Sequence, residues 1–319
     1  MSADIVVTDD EMAAFDDLGR EGTWEIDGRP VSLTNLDKVL FPGRDGEDPI
    51  TKRELIRYQV EVAPVALPYY EDRPVNLNRF PDGAGSKGFW NKEVPSHAPE
   101  WLTRWQHPDA DADEVQQYLV IDHVAALVWT AQQGALELHP WTSTAERHKE
   151  PTWAMFDIDP GTKTTFEDAL LLARMHRTAL EHLGVEGCPK VTGQRGIQIW
   201  VPVESGHDFS YTATFVEAVS KMIGASVPDM VSWAWRVDER GGRARLDHTQ
   251  NAINKTLVGP YSPRPRAGAP VSVPIEWDEL DDPDLSPGRW TIRTVGERLA
   301  ERGDPLASVR GLQQELPSF

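Results

Sequence analysis

The sequence predicts an α+β protein with mixed central β-sheets flanked by helices. Two segments, WAMFDID (153–159) and IQIWVPV (197–203), have the apolar or alternating pattern of strands. A long helix, FEDALLLARMHRTALEHLG, lies between them and is closed by its final glycine. No internal repeat or low-complexity linker divides the 319 residues. We therefore expect a single domain, 1–319, with an N-terminal lobe 1–140 and a second lobe 141–319.

Capping residues mark the elements of the N-terminal lobe. Residues 1–30 predict a helix and then a short strand. Thr51 and Glu54 form a capping box for the helix KRELIRYQVEVAPVALPYY. Asp122 is the expected cap of the next helix, VAALVWTAQQGA, and the segment LELH follows it.

Strands and helices alternate in the second lobe. A Pro-Gly pair ends the strand 153–159, and Thr164 with Glu167 is expected to cap the helix that follows. Gly184 closes that helix. The remaining predicted elements are a strand at 197–203, a helix at 209–224, a short strand at 243–247 and a mostly helical tail at 291–317.

Composition excludes several classes of protein. The single cysteine, Cys188, excludes an internal disulfide and a cysteine-rich zinc site, and it favours a reducing setting. The acidic N-terminal stretch lacks the pattern of a signal peptide. No run approaches the ~20 apolar residues of a membrane span. We therefore predict a cytoplasmic protein with no membrane partner.

Charge is uneven along the chain. The formal net charge of −19 argues against indiscriminate phosphate binding. The stretch 236–266 is nevertheless rich in arginine, which makes it a candidate anion site; the alternative is an ordinary solvated face.

Two carboxylates end the strand 153–159. Asp157 and Asp159 have the i, i+2 spacing that places side chains on one face of a strand, ~6.6 Å apart along the chain. Carboxylates that close repel each other unless a cation lies between them. The pattern favours a two-metal site with oxygen ligands for Mg²⁺ or Mn²⁺. The alternative is a solvated strand end before a turn.

Two further motifs strengthen the metal interpretation. In TGQRG (192–196), the glycines would allow close approach to an anion, while Thr192 and Arg195 could bind phosphate. In RLDHTQN (245–251), Asp247 is followed by Gln250 and lies among arginines, so it is either a metal ligand or half of a structural ion pair. Metal acids, an anion loop and clustered cations together are the parts that phosphoryl transfer needs.

The three motifs also carry a resemblance. FDIDPG, TGQRGIQIWVPV and LDHTQN, in this order, resemble the motifs of archaeo-eukaryotic primases, and most closely those of the polymerase domain of bacterial end-joining ligase D and its stand-alone actinobacterial relatives. LTNLDKVLFP and NKTLVGPYSPR add to the resemblance, which covers roughly residues 30–290. It implies an archaeo-eukaryotic primase-like catalytic core, with catalysis in the lobe 141–319.

The resemblance implies roles for individual residues. Those expected to bind two Mn²⁺ or Mg²⁺ ions and to be catalytic are Asp157, Asp159 and Asp247. Those expected to contact a nucleoside triphosphate are His139, Thr192, Arg195, Arg240, Gln250, Lys255 and Arg264. Those expected to contact template or other DNA are Phe89, Trp90, Lys92, Asn78 and Arg79.

Two positions depart from the family pattern. Asn78 stands where end-joining domains typically have a lysine that binds the 5′-phosphate of a break, and Gln198 stands where many relatives have histidine. The first departure favours gap filling over end joining.

These considerations give one main function and three alternatives. The expected function is a DNA-repair primase-polymerase, bacterial and nucleoid-associated, that extends primers across short gaps and favours ribonucleotides. It is expected to require a separate ATP-dependent DNA ligase to seal its product. The alternatives are a primase that starts strands de novo, a non-catalytic DNA-binding module that recruits a ligase, and a two-metal phosphohydrolase.

Overall fold

A computed structural model describes residues 7–111 and 113–319. The chain divides into two compact units. Unit 1 comprises the described residues up to Pro140 together with 258–271 and 291–297, and unit 2 comprises 141–257, 272–290 and 298–319. No helix in the described part of the chain is both long and apolar enough to cross a membrane.

Unit 1 contains a five-stranded antiparallel sheet built around its longest strands. Its elements are α1 (Asp9–Asp16), β1 (Gly22–Ile26), β2 (Arg29–Leu33), β3 (Val39–Phe41), β4 (Ile50–Thr51), α2 (Lys52–Ala66), β5 (Pro74–Arg79), β6 (Phe89–Asn91), β7 (Arg104–Gln106), β8 (Gln117–Val120), α3 (Val124–Gln132) and β9 (Ala135–Pro140). Strand β5 pairs with β9 along one edge and with β6 and β8 along the other, while β1–β2 and β3–β4 form separate pairs.

Helix α2 begins as the sequence predicts, but α3 does not. The amide of Glu54 donates to the Thr51 hydroxyl, and the amide of Thr51 donates to the Glu54 carboxylate, which confirms the capping box. The prediction that Asp122 caps α3 is wrong: His123, in extended backbone, is the cap, and its Nδ1 accepts from the Ala126 amide at 3.1 Å. Asp122 accepts instead from the Thr103 hydroxyl.

Unit 2 contains a second five-stranded sheet, in the order β13-β10-β12-β11-β14. Its elements are β10 (Trp153–Asp159), α4 (Phe166–Leu183), β11 (Cys188–Val191), β12 (Ile197–Pro202), α5 (Phe209–Ser226), β13 (Arg245–Leu246) and β14 (Val273–Pro274). Phe156 of β10 packs on His176 of α4 and Phe215 of α5, so both helices cover the same face of the sheet. On the opposite face, β10 carries Asp157 and Asp159 near its end and the buried side chains of Trp153 and Met155 before them.

The elements confirm the α+β class and correct several boundaries. All strand pairs within the described sheets are antiparallel, and parallel pairing is confined to the isolated Val231–Ala244 bridge. The cap of α4 is Thr165 with Asp168, one residue later than predicted, because the Thr164 hydroxyl is bonded to the Gly161 amide. The expected helical tail reduces to α6 (Val295–Arg302) and one short 3₁₀ turn.

Candidate active site

Strand β10 presents its two acids on the face of the sheet that points away from α4 and α5. Side chains alternate along a strand, so Asp157 and Asp159 share one face while Phe156 and Ile158 point toward the helices. Asp157 is half-buried and Asp159, at the strand end, is exposed. The pair predicted from the sequence is therefore formed.

The third acid joins this pair across the neighbouring strand. The amide of Asp247, just after β13, donates to the Asp157 carbonyl oxygen at 2.9 Å. On the other side, Gln198 of β12 lies directly opposite Asp157 and donates from Nε2 to its carboxylate at 3.1 Å. Lys190 of β11 lies opposite Gln198. A polar row, Asp247–Asp157–Gln198–Lys190, thus crosses four neighbouring strands.

Electrostatics within the row distinguish two of the acids. Burial, and then the negative charges of Asp159 and Asp247, raise the pKa of Asp157 to about 7, although Gln198 and Lys190 oppose the shift. Burial also works to raise the pKa of Asp247, but hydrogen bonds from Thr249 and Gln250 and the charge of Arg245 hold that pKa below its usual value. The ionised form of Asp157 is therefore disfavoured by burial and by two nearby acids, and a bound cation would stabilise it.

Two arginines pair with the other acids. Arg240 contacts Asp159 at 2.9 Å, and Arg245 contacts Asp247 at 3.0 Å. As the side chains stand, no three His, Cys, Asp or Glu residues in the described part of the chain converge closely enough to form a metal site. The three carboxylates nevertheless fit divalent cations in donor chemistry, in their shared face and in the closeness of Asp157 to two other acids.

The loop 192–196 is closed by its own hydrogen bonds. The Thr192 hydroxyl accepts from the Gly196 amide at 3.2 Å, and Arg195 donates to the carbonyl oxygens of Pro160 and Gly161 at 2.7 and 2.8 Å. A Cβ at Gly196 would lie only 2.4 Å from the Ile158 carbonyl oxygen. This glycine therefore permits contact with β10, and the loop fixes the Arg195 cation just beyond the two acids.

The segment after Asp247 is anchored to β10 by a residue that sequence reasoning missed. Buried Asn251 accepts from the Met155 amide at 2.8 Å and donates to the Met155 carbonyl at 2.9 Å, as a neighbouring strand would. Gln250, predicted to contact nucleotide, donates to Asp247 at 3.1 Å, and Lys255 is exposed. An asparagine in a polar segment gives no sequence signal for such a bridge.

Unit 1 holds a second polar cluster around Glu137 of β9. Its carboxylate, only 5% exposed, accepts from Arg264 at 2.6 Å and from Asn78 at 2.7 Å, and lies 3.4 Å from His139 Nε2. Burial alone would raise its pKa, but His139, Arg264 and Asn78 lower it to about 2. Sequence reasoning missed Glu137, although a carboxylate two residues before His139 in an otherwise buried strand was a usable signal.

The Glu137 cluster changes how two predicted residues are interpreted. The Asn78 amide nitrogen is bonded to Glu137, so the DNA contact predicted for Asn78 stays a prediction without structural support. Arg264, which could have been a merely solvated loop residue, is mostly buried and paired.

The aromatic pair predicted to contact template lies on β6 of unit 1. Phe89 and Trp90 are each about half exposed, and the Trp90 and His139 rings pack in a T-shaped arrangement with 4.8 Å between centroids. Arg79 lies over Phe89 and bonds the Gln133 carbonyl, whereas Lys92 is exposed. The exposure of the two rings suits stacking on a base.

Two lysines that sequence reasoning did not select lie together in unit 1. Burial, with the nearby charge of Lys38, lowers the pKa of Lys52 to about 8. The Lys52 ammonium contacts the carbonyl oxygens of Thr34 and Gln132, and Lys38 pairs with exposed Asp82. Neighbouring cations of this kind are suited to an anion such as phosphate.

The predicted site residues are thus divided between the units. Unit 2 contains those expected to bind metal and most of the triphosphate contacts: Asp157, Asp159, Asp247, Thr192, Arg195, Arg240, Gln250 and Lys255. Unit 1 contains the remaining nucleotide contacts and the DNA contacts: His139, Arg264, Phe89, Trp90, Lys92, Asn78 and Arg79.

Known proteins match most of the chain. The family described as the LigD primase-polymerase domain matches residues 51–306. The multifunctional non-homologous end joining protein LigD of Mycolicibacterium smegmatis is 32% identical over 281 residues, which are 88% of this chain and 36% of that protein. The bifunctional LigD of Bacillus subtilis is 29% identical over 289 residues, 90% of this chain and 45% of that protein. The chain therefore spans less than half the length of these relatives.

A solved structure agrees with the sequence matches. The polymerase domain of Mycobacterium tuberculosis ligase D, in complex with DNA, superposes with a TM-score of 0.79 at 29% identity and covers 90% of this chain and 99% of that one. The order of the three motifs, the placement of the acids in adjoining strands and these matches lead to one conclusion: the chain belongs to the family of LigD primase-polymerase domains.

Proposed function

We propose that this protein is a template-directed nucleotidyltransferase that extends a primer 3′ end across short DNA gaps during repair. Family membership supports nucleotidyl transfer with nucleoside triphosphates and divalent metal. The observation that carries the proposal is the Asp247–Asp157–Gln198 row, in which burial, and then the charges of Asp159 and Asp247, raise the pKa of Asp157 to about 7. Acids placed this close together suit an enzyme that holds two cations.

The proposed reaction joins a primer to an incoming nucleotide. The primer 3′-hydroxyl attacks the α-phosphate, the bond to the β-phosphate breaks, and pyrophosphate leaves. Asp157, Asp159 and Asp247 would hold Mn²⁺ or Mg²⁺, which when bound lowers the pKa of the hydroxyl and neutralises the triphosphate. Gln198 keeps the Asp157 carboxylate oriented through its amide, and it cannot titrate near neutral pH.

Fixed cations would bind the triphosphate. Arg195 is oriented by two backbone carbonyls, and Arg240 and Lys255 supply further charge in unit 2. In unit 1, Arg264 and His139 are both held by Glu137. With Thr192, His139 is proposed to contact the sugar and to accept a 2′-hydroxyl, which would favour ribonucleotides.

Gapped or primer-template DNA is the proposed nucleic-acid substrate. Phe89 and Trp90 would stack on the template, with Lys92 nearby in sequence for the phosphate backbone. A 5′-phosphate at the far side of a gap would be bound by Lys38 and Lys52 rather than by Asn78, because the Asn78 amide is bonded to Glu137. A separate ATP-dependent ligase would seal the filled gap.

Primer extension on gapped duplexes tests the proposal. Reactions compare Mn²⁺ with Mg²⁺, ribo- with deoxynucleotides, and gaps with or without a 5′-phosphate. We expect Asp157→Ala with Asp159→Ala to abolish extension and to retain the far-ultraviolet circular dichroism of the wild type. Asp278→Ala, an exposed acid of unit 2, serves as the matched control and should extend normally.

The products separate the rival activities. Extension by the double variant at the wild-type rate would refute the metal assignment. Products from unprimed template would indicate a primase, and release of monophosphate or shortened strands would indicate a phosphohydrolase. If 5′-phosphate strengthens binding, Lys52→Met should remove that advantage while Asn78→Ala should not.

A further inference from the structure

The most exposed large apolar side chain in the described part of the protein is Trp235, at 67%. A single exposed apolar residue needs no explanation by itself. Trp235, however, lies in unit 2 immediately before the arginine-rich stretch 236–266, which supplies the partners of the predicted metal acids. Its exposure therefore occurs close to the proposed chemistry.

Two buried arginines fix this tryptophan to the acids. The Arg245 guanidinium lies over the indole ring, 4.5 Å from its centroid, and also pairs with Asp247. Arg240 donates to the Trp235 carbonyl at 3.2 Å and also pairs with Asp159. The side chains of Arg240 and Arg245 are only 9% and 7% exposed. Both the ring and the backbone of Trp235 are thus held by groups that contact the acids.

The arrangement leaves the rest of the indole ring open to solvent. A rigid aromatic ring backed by a guanidinium attracts a flat π-system carried on a polyanion, because stacking and charge then act together. A protein partner would need a wider apolar patch. The neighbouring Trp233 instead lies against α5, where a Cβ at Gly224 would be 2.7 Å from its ring.

We propose that Trp235 is a stacking platform for a nucleobase of the DNA strand bound beside Asp159 and Asp247. The inference rests on the proposed function for the identity of the strand. It adds a base contact in unit 2 that is separate from Phe89 and Trp90 of unit 1.

Binding measurements without nucleotide addition test the platform. Fluorescence anisotropy of a labelled gapped duplex with a short single-stranded template is compared for wild type, Trp235→Ala, Trp235→Phe and Val237→Ala. Loss of one base–aromatic stack weakens binding by about 1–3 kcal/mol, or roughly 5- to 150-fold. We expect a loss in this range for Trp235→Ala and most of the affinity in Trp235→Phe. Val237→Ala, an exposed apolar change two residues away, should bind as the wild type does.

An abasic scan identifies the base. Single abasic positions are placed in turn along the strand, and the affinity of each duplex is measured for wild type and Trp235→Ala. One position should weaken wild-type binding as much as Trp235→Ala does, and the same position should have no effect in the variant.

Several results would overturn the platform. One is unchanged DNA affinity in Trp235→Ala, and another is an equal loss of affinity in the alanine and phenylalanine variants. A third is a loss from Trp235→Ala that simply adds to the loss from the abasic site at every position. The test is independent of catalysis. If one abasic position weakens binding by the wild type but not by Trp235→Ala, and the wild type extends no primer, the proposed function fails and the platform stands. If the wild type extends primers but no abasic position behaves in this way, the platform alone fails.

Discussion

Replacing Asp157 by asparagine should stabilise the metal-free protein at alkaline pH, although the same change should abolish nucleotide addition. Asp157 is the acid whose ionised form is opposed by burial and by two neighbouring carboxylates. Asparagine has nearly the same shape, can still accept the hydrogen bond from Gln198, and carries no charge.

The size of the effect follows from the pKa of Asp157. That pKa rises from 3.8 to about 7, so the folded protein binds the proton more tightly than the unfolded chain does. The resulting stability is present below pH 4 and is lost as the pH rises through 7. A shift of roughly 3 units corresponds to about 4 kcal/mol at pH 8, which solvent screening of the half-buried carboxylate reduces to about 2 kcal/mol. At pH 5 we expect less than half of this gain.

Asp247→Asn is the matched control, because the pKa of Asp247 is held low. This change leaves Arg245 without its charged partner and should lower the free energy of unfolding by about 1–3 kcal/mol. Urea unfolding followed by tryptophan fluorescence, in EDTA at pH 5 and pH 8, measures both variants. Added Mn²⁺ should stabilise the wild type more than Asp157→Asn. If Asp157→Asn were destabilised equally at both pH values, repulsion at Asp157 would be refuted.

Three further changes test other parts of the structure. Glu137→Gln should raise the KM for nucleotide and lower the free energy of unfolding by about 2–4 kcal/mol, because Arg264 loses a buried charged partner. Steady-state kinetics measure the KM and urea unfolding measures the stability. An unchanged KM would contradict a role of the Glu137 cluster in nucleotide binding. The pKa of buried His176 is lowered to about 4, so the protein should lose up to about 3 kcal/mol of stability as the pH falls from 6.5 to 4, and His176→Leu should flatten this loss in urea titrations. Gly196→Ala should lower the melting temperature and slow extension, since its Cβ would meet the Ile158 carbonyl; wild-type behaviour would show that the loop moves freely.

The placement of the acids proposed for catalysis was predictable because its signals are local. The apolar segment WAMFDID predicted the strand, the i, i+2 spacing of Asp157 and Asp159 predicted their shared face, and both are found. The capping box at Thr51 was equally local. The cap of α3 was assigned to the wrong neighbour because Asp122 and His123 can both accept a hydrogen bond, and only the backbone conformation selects between them.

The site residues that were not predicted from the sequence are positioned by pairing between distant segments of the chain. Glu137 meets Asn78 because β5 and β9 pair in a particular register, and it meets Arg264 across more than a hundred residues of chain. Asn251 satisfies the edge of β10 as a strand would. Neither contact can be recognised from the local sequence pattern. The roles of Glu137 and Asn251 in holding the neighbouring site residues are therefore seen only in the structure.

The alternation of β10 also bears on how the chain folds. Trp153, Met155 and the two aspartates share one face, and Phe156 packs on the helices from the other. A slip of one residue against β12 would turn both carboxylates into the apolar layer beneath α4 and α5, where unpaired ions are penalised by several kcal/mol each. The acids proposed for catalysis therefore also disfavour misaligned pairing of β10 with β12. Substitutions that neutralise them would reduce the energetic preference for the native register during folding.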